Sequence, residues 1–478
     1  MIDRRSNGNL KTMAIPRWLV ALVDLALVSL GLYFAFVIVT GSLEGFQLEP
    51  LFILLPLISL VTVLLFSNLG LYSRQRSGLT PIVRALVTGV IGITLFSVLF
   101  AFWTRAFLFE RTIFLFAPLL QFALLLGWRI LYWRLELWIQ GQKKLLVIGS
   151  REEAELALEK IMHLPRGVFE VVKVLEIERL DQLEQWLQDS DAVMIAGKLD
   201  MEQKNRVIRE SIEGNREVFI VPDLYEIVLT RADMTQVHDT PVIECRDMQL
   251  TFLELFVKRL VDLTLAAIMS ILALPVIALA GLAIYVESPG PVIFTQERTG
   301  LNGRSFILYK LRTMIPDAEN ESGPVLSNEE DDRVTRVGRF LRGFRLDELP
   351  QLYNVIRGDL SLVGPRPERP YFVERFQEEM PEYRLRHLVK PGITGLAQVT
   401  GYYATNTQDK LRYDLYYVAY YSLFMDFKIL LLTIPTLFNR EAAQGVRREV
   451  EKSSLYSGEV DLVTLQRGYS KDKNARHE

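Results

Sequence analysis

Two carboxylates stand side by side at Asp347 and Glu348, followed by Leu349 and Pro350. They close a run in which Arg333, Arg336, Arg339, Arg342 and Arg345 recur at every third position, interleaved with Val337, Phe340, Leu341 and Phe344. Neighbouring residues on a helix project about 100° apart, so these acids would not share a proton as a glycosidase pair does. They suit a division of labour in which one carboxylate attacks phosphorus to form an acyl phosphate and the other holds a divalent cation. The arginines then offset the charge that phosphoryl transfer concentrates. An Asp-Glu pair alone usually marks a solvated face; its weight here comes from the setting. Upstream, residues 306–313 read FILYKLRT. Strand alternation places Lys310 and Arg312 on one face, where two cations would meet phosphate oxygens, although a solvated strand has the same pattern.

Little else in the chain invites a metal. Cys245 is the single cysteine, which removes thiolate zinc and internal disulfides. His163, His238, His387 and His477 are scattered. A catalytic metal is therefore expected to be a hard cation, Mg²⁺, held by carboxylates and phosphates. The run Glu329, Glu330, Asp331, Asp332 imitates an acidic metal motif but reads as a solvated loop. A net charge of −3 gives no sign of nucleic-acid binding.

The elements that must position these residues begin in a membrane. At 478 residues and 50% hydrophobic, with a mean hydropathy of +0.19, the chain is expected to hold several domains and to be a membrane protein. Apolar runs at 18–40, 51–71, 81–103 and 112–138 each approach the ~20 residues that cross a bilayer as helix. They predict a four-helix transmembrane bundle over residues 1–140. Arg4, Arg5, Lys11 and Arg17 precede it, and the 41–49 loop has no Lys or Arg. Arg74, Arg76 and Arg84 follow the second run, Arg105 and Arg111 lie in the third loop against Glu110, and Arg129, Arg134, Lys143 and Lys144 gather at the end. This alternation puts both ends in the cytoplasm. Trp18, Trp103, Trp128, Trp133 and Trp138 suit the interfacial belt. Asp24, inside the first run, is expected to find an interhelical or interfacial partner rather than to carry function.

Residues 141–250 read as a soluble α/β domain, with strands near 144–148, 192–196 and 218–221 and helices near 152–161, 178–188 and 201–214. The first strand ends in Gly-Ser-Arg-Glu-Glu. Acidic side chains stand where a dinucleotide fingerprint needs glycine, so a degenerate Rossmann-like module without dinucleotide is expected, with a regulatory or self-associating role. A second apolar stretch covers 263–286, with Pro275 at its centre. Proline removes a backbone donor and kinks or breaks a helix. Lys258 and Arg259 precede the stretch; Arg298, Arg304, Lys310 and Arg312 follow it. The expectation is a re-entrant hairpin that enters one leaflet and returns, against a fifth crossing.

Six motifs then appear in order: KRLVDLTLA, SPGPVIFTQERTG, YKLRTM, RVGRFLRGFRLDELPQL, GDLSLVGPRP and KPGITGLAQVTG. Together they span about residues 252–440, and the chain resembles the bacterial sugar transferases, polyprenyl-phosphate phosphoglycosyltransferases with a monotopic catalytic unit. With four preceding spans and a degenerate α/β module it resembles their large-form members, which initiate O-antigen, capsule and exopolysaccharide synthesis. The resemblance implies that residues 251–440 form a re-entrant hairpin plus a monotopic α/β catalytic domain on the cytoplasmic side of a bacterial inner membrane. It implies Asp347 as nucleophile toward a UDP-sugar, releasing UMP, with Glu348 as the Mg²⁺ ligand. Lys310 and Arg342 would meet phosphate, Arg366 would lie near the nucleotide, and polyprenyl phosphate would take the sugar phosphate from Asp347. Pro275 matches the helix-breaking proline, but Leu274 stands where the family often has Ser, and Ala397 replaces a common Trp.

Two other classes stay open: a membrane glycosyltransferase that releases UDP without a covalent intermediate, and a non-catalytic export scaffold. The intact set Lys310, Arg342, Asp347, Glu348, Arg366 speaks against the second. Tyr402, Tyr403, Tyr413, Tyr416, Tyr417, Tyr420 and Tyr421 read as interfacial packing, and 427–438 as a helix lying along the membrane. Residues 441–478 form a charged tail, and the middle module invites a homodimer.

Overall fold

A computed structural model describes residues 16–41, 48–72, 79–103, 112–140, 142–162, 169–229, 232–244, 248, 250–315, 333–400 and 406–437. Outside these residues lie the basic tail, Arg74, Arg76, Arg105, Arg111, His163, Cys245, His477, the acidic run 329–332, Tyr402, Tyr403 and the 441–478 tail. The chain forms two compact units, Met1–Val221 and Pro222–Arg448.

The first unit opens with helices α1 (Arg17–Thr40), α2 (Leu48–Asn68), α3 (Leu79–Trp103) and α4 (Ile113–Gln140). Consecutive helices pack together and α1 also packs on α4, which closes a bundle. Phe36, Phe66, Leu86, Ile93 and Leu125 fill its interior, while Leu99, Phe102, Leu115 and Leu119 face outward. A bundle that is apolar on both sides has lipid as its solvent. Polar residues within it bond locally: Thr62 and Ser97 donate to carbonyls four residues back, at 2.7 and 2.8 Å. Asp24 has the interhelical partner expected for it, an ion pair with Arg129 on α4. Arg129 also donates to Leu71 O at 2.9 Å. It therefore belongs to the bundle interior and not, as its position in the sequence suggested, to a cytoplasmic charge cluster.

After the bundle come β1 (Lys143–Gly149), α5 (Arg151–Met162), β2 (Phe169–Glu176), α6 (Leu183–Gln188), β3 (Ala192–Ile195), α7 (Met201–Glu213) and β4 (Glu217–Ile220). The four strands are parallel in the order β2-β1-β3-β4. At the glycine after β1 a carboxylate holds the helix N-terminus. Glu153 accepts from Ser150 Oγ at 2.7 Å and from Ser150 N at 3.4 Å, so a side chain of the helix itself satisfies the donors that would otherwise face a phosphate.

The second unit begins with α8 (Leu224–Leu229) and a hairpin of β5 (Asp233–Val237) and β6 (Thr240–Glu244). Ile227 of α8 joins the cluster of Val373, Leu411 and Leu415, so α8 packs with the C-terminal elements. The long helix α9 runs from Phe252 to Glu287, opened by a capping box of Thr251 and Glu254. Helical structure continues through Pro275: proline removes one ladder bond, and the bonds on either side persist. Next come an antiparallel hairpin, β7 (Ile293–Thr299) and β8 (Ser305–Leu311), then α10 (Arg336–Gly343) and α11 (Gln351–Arg357). The remainder is β9 (Ser361–Val363), α12 (Pro370–Glu379), β10 (Gly392–Thr394), α13 (Leu396–Thr400), α14 (Thr407–Ala419) and α15 (Leu423–Leu437), with β10 parallel to β9. The core joins Ala266 and Ala273 of α9 to Leu308, Leu352, Val355 and Ile429.

Among the described residues, four helices are long and apolar enough to cross a membrane: α1, α9 and the apolar lengths of α3 and α4. The described apolar stretch of α2 is shorter. On α9 one stripe is buried, Lys258, Asp262, Ala266, Ala273, Ala280 and Ile284. Much of its remaining surface is exposed and apolar, with Ile271, Leu272, Leu279 and Val286 each about 70% accessible.

Candidate active site

The basic stretch does not form one helix ending in the dyad. Thr335 caps α10, its Oγ1 accepting from Gly338 N at 2.9 Å, and Glu287 accepts from Arg336 N and Val337 N at 2.9 and 3.0 Å. Val337 and Leu341 pack inward beside Ala280, Ile284 and Leu311, whereas Phe340 and Phe344 remain exposed. The helix stops at Gly343 because Arg345 takes φ 55°, a left-handed conformation uncommon for a residue with a side chain. The chain then makes a 3₁₀ turn, Leu346–Glu348. Asp347 and Glu348 thus lie on a tight turn between two helices, where the sequence pattern suggested a continuous helical face.

The two acids have different surroundings. Glu348 Oε1 accepts from Arg366 Nη2 at 2.8 Å and from Lys310 Nζ at 3.3 Å. The carboxylate of Asp347 makes no hydrogen bond or ion pair among the described residues. Burial raises the proton affinity of both. At Glu348 the charges of Arg366, Lys310 and Arg345 outweigh burial and hold the carboxyl far below its usual range. At Asp347 burial, reinforced by the negative charge of Glu348, prevails over Lys310, Arg342 and Arg366, and its pKa is raised. Burial lowers the Lys310 pKa against the pull of Glu348. Glu348 is held in its ionised form, while Asp347 lies in the field of Lys310, Arg342 and Arg366 without a bond among the described residues.

Lys310 stands on β8, which is fixed to α11 by Asn354. That side chain is fully buried, donates to Ile307 O at 2.7 Å and accepts from Tyr309 N at 3.2 Å. Arg342 donates from Nε to Thr313 Oγ1 at 2.9 Å. Arg366 follows β9, where glycines allow two backbones to touch: a Cβ on Gly392 would fall 2.1 Å from Gly364 N, and one on Gly395 would fall 2.3 Å from Gly364 O. Arg312, just past the end of β8, bonds the carbonyl of Ser288 with its guanidinium and packs on Gly290, while its amide donates to Val292 O at 2.8 Å.

Lys258, Arg259 and Arg298, which in the sequence flank the second apolar stretch as charges, have defined partners in the fold. Lys258 is buried, pairing with Asp426 at 2.6 Å. Arg259 caps α11 by donating to Val355 O and Ile356 O at 2.6 and 2.7 Å, and Asp262 accepts from Leu362 N at 3.1 Å. Arg298 donates to Pro367 O at 3.0 Å, its pKa pushed down to about 10 by burial. Among the described residues no three His, Cys, Asp or Glu gather to hold a metal. The two neighbouring acids nevertheless fit Mg²⁺, which commonly takes one or two carboxylates and completes its shell with water and substrate phosphates.

Comparison with known proteins places this geometry. Residues 253–440 match the model of the bacterial sugar transferase family. The UDP-glucose:undecaprenyl-phosphate glucose-1-phosphate transferase of Escherichia coli is 30% identical over 424 residues, covering 81% of this chain and 89% of that protein. The chain belongs to the bacterial sugar transferase family. A transferase of the same description from Caulobacter vibrioides is 46% identical over 193 residues, covering 39% of this chain and 71% of its own length. The UDP-N-acetylgalactosamine-undecaprenyl-phosphate N-acetylgalactosaminephosphotransferase of Aeromonas hydrophila is 44% identical over 185 residues, 38% of this chain and 44% of that protein. As a sugar transferase the chain is an enzyme, and α9 from its second residue, β7, β8 and the dyad lie within the matched region.

Proposed function

We propose that this transferase moves a sugar 1-phosphate from a UDP-sugar to undecaprenyl phosphate, releasing UMP, at the cytoplasmic face of a bacterial inner membrane. The observation that carries the reading is the asymmetry of the dyad, an Asp347 that accepts no bond among the described residues beside a Glu348 held by Lys310 and Arg366. An oxygen of Asp347 attacks the phosphorus bearing the sugar. The bond from that phosphorus to the bridging oxygen breaks, and UMP leaves with the electron pair. An oxygen of the lipid phosphate then attacks the phosphoryl-aspartate, the Asp347 oxygen leaves, and the carboxylate is restored. No proton need be transferred in either step. Lys310, Arg342 and Arg366 face the non-bridging oxygens, where charge is greatest. Glu348 would hold Mg²⁺, which when bound screens the donor diphosphate.

The packing of α9 supports a helix that enters and leaves by one face. Near its start Lys258 and Asp262 bond to Asp426 and Leu362; at its end Glu287 caps α10. All these partners belong to the same unit. A helix of 36 residues is about 54 Å long, yet its buried stripe rests on one polar domain throughout. A straight crossing would separate its ends by the membrane. We therefore place α9 in one leaflet, with Pro275 as the bend and its exposed face against lipid.

Incubation with a panel of UDP-sugars and undecaprenyl phosphate tests the chemistry: UMP is the expected nucleotide product, and UDP release would refute it. For topology, Asn302→Cys in a Cys245→Ser background should be labelled from the cytoplasmic side alone. Periplasmic labelling would show that α9 crosses.

A further inference from the structure

Arg366 reaches Glu348 from a segment that cannot brace itself. Residues 363–368 read Val-Gly-Pro-Arg-Pro-Glu, and Pro365 and Pro367 have no amide proton to give a turn. Its carbonyls are instead taken up from outside. Val363 O accepts from Lys258 Nζ at 3.1 Å, and Pro365 O from Gly392 N at 2.9 Å. Arg366 O accepts from Arg386 Nη2 at 2.8 Å, Pro367 O from Arg298 Nη1 at 3.0 Å, and Glu368 O from Thr299 N at 2.9 Å. The donors come from α9, β10, the 3₁₀ stretch Pro381–Leu388 and β7. Arg386 is buried and Arg298 half-buried, and each has a carboxylate of its own: Arg386 pairs with Asp414 at 2.7 Å, and Arg298 lies 3.6 Å from Glu368.

We propose that Arg386 and Arg298 are positioning residues for the transfer reaction, fixing the carbonyls of Arg366 and Pro367 so that the Arg366 guanidinium stays on Glu348. The inference rests on the reading of Arg366 and Glu348 as active-site residues. Arg386 suits the task because its Nη2 bonds the Asp414 carboxylate and the Arg366 carbonyl together. Lysine would keep a charge for Asp414 but is a point donor without the fork. The sequence gives no hint of this, because Arg386 and Arg298 stand 20 and 68 residues from Arg366 in the chain.

A double-mutant cycle on the full chain in lipid nanodiscs tests it, read as sugar transferred to undecaprenyl phosphate relative to wild type. Arg386→Lys and Arg298→Lys are each made alone and on Arg366→Lys. Alone, each should lower turnover about 10- to 100-fold, as a reacting group displaced by roughly 1 Å does, with the thermal midpoint retained. On Arg366→Lys the further loss should shrink to about threefold or less, because the residue they act through is already altered. An equally large loss on both backgrounds would mark them as general supports and overturn the proposal, as would misfolding of both lysine variants. The values are ratios of transfer, so they hold whichever nucleotide leaves; UDP in place of UMP would fail the functional reading and not this one.

Discussion

In the helical bundle Asp24 meets Arg129, with side chains 0% and 4% exposed. At the 3₁₀ turn of the second unit Asp347 and Glu348 meet Lys310 and Arg366, in a field to which Arg342 and Arg345 also contribute. The bundle takes both of its ions out of water, which costs several kcal/mol per ion unless geometry returns it, whereas at the turn Glu348 is largely enclosed and the Arg366 side chain stays 39% exposed. The bundle matches one carboxylate to one guanidinium and sends a further donor of Arg129 to Leu71 O, while Asp24 Oδ1 and Arg129 Nε accept and donate no bond among the described residues. The dyad gives Lys310 and Arg366 to Glu348, and Asp347 accepts no bond among the described residues. A paired acid stabilises; one that lies unbonded in the field of several cations is suited to a ligand that brings its own charge.

The sharpest way to break this contrast is Asp347→Asn. The change is nearly isosteric and disturbs no bond made in the structure, so folding should be unaffected. Removing a nucleophile should lower transfer by roughly 10³-fold or more and abolish the phosphosugar adduct seen by intact-protein mass. Full activity in this variant would refute the covalent route.

Glu348→Gln is expected to lower turnover by about 10²-fold, as loss of one electrostatic partner does, and to move the pH–rate profile. In the wild type the acid limb follows Asp347, whose pKa lies above its ordinary 3.8. The alkaline limb follows Lys310, lowered from 10.5. The Glu348 charge raises both. Removing it lowers both, so the whole bell should slide toward acid. A plateau that falls without sliding would mean that Glu348 serves only the metal.

How much of this was legible in the sequence depended on whether the signal was local. The apolar runs of α1, α3 and α4 and the strand-glycine-helix opening at Gly149 are patterns within 30 residues, and they could be read directly. The dyad was visible as a motif, but the turn that carries it was not. The arginine period of three suggested one helix, and only the left-handed Arg345 ends that helix early. Lys258, Arg259 and Arg129 looked like boundary charges because their partners, Asp426, the carbonyls of α11 and Asp24, lie about 100 residues or more away. Asn354 and Arg386 gave no signal, since burial and a backbone partner cannot be seen in one residue type.

The smallest effect on chemistry should come from the pair in the bundle. Arg129→Met alone leaves Asp24 buried without its cation and should destabilise the bundle by about 3 kcal/mol, read as a lowered thermal midpoint in nanodiscs. Asp24→Leu combined with Arg129→Met removes both charges and should recover most of that loss, since well-packed apolar replacements of a buried pair are often neutral or better. Turnover per folded molecule should change less than about threefold in the double variant, because neither residue belongs to the unit that holds the dyad. A double variant that is stable yet inactive would show that Asp24 and Arg129 serve transfer, and the line between a paired acid that stabilises and an unbonded one that reacts would have to be redrawn.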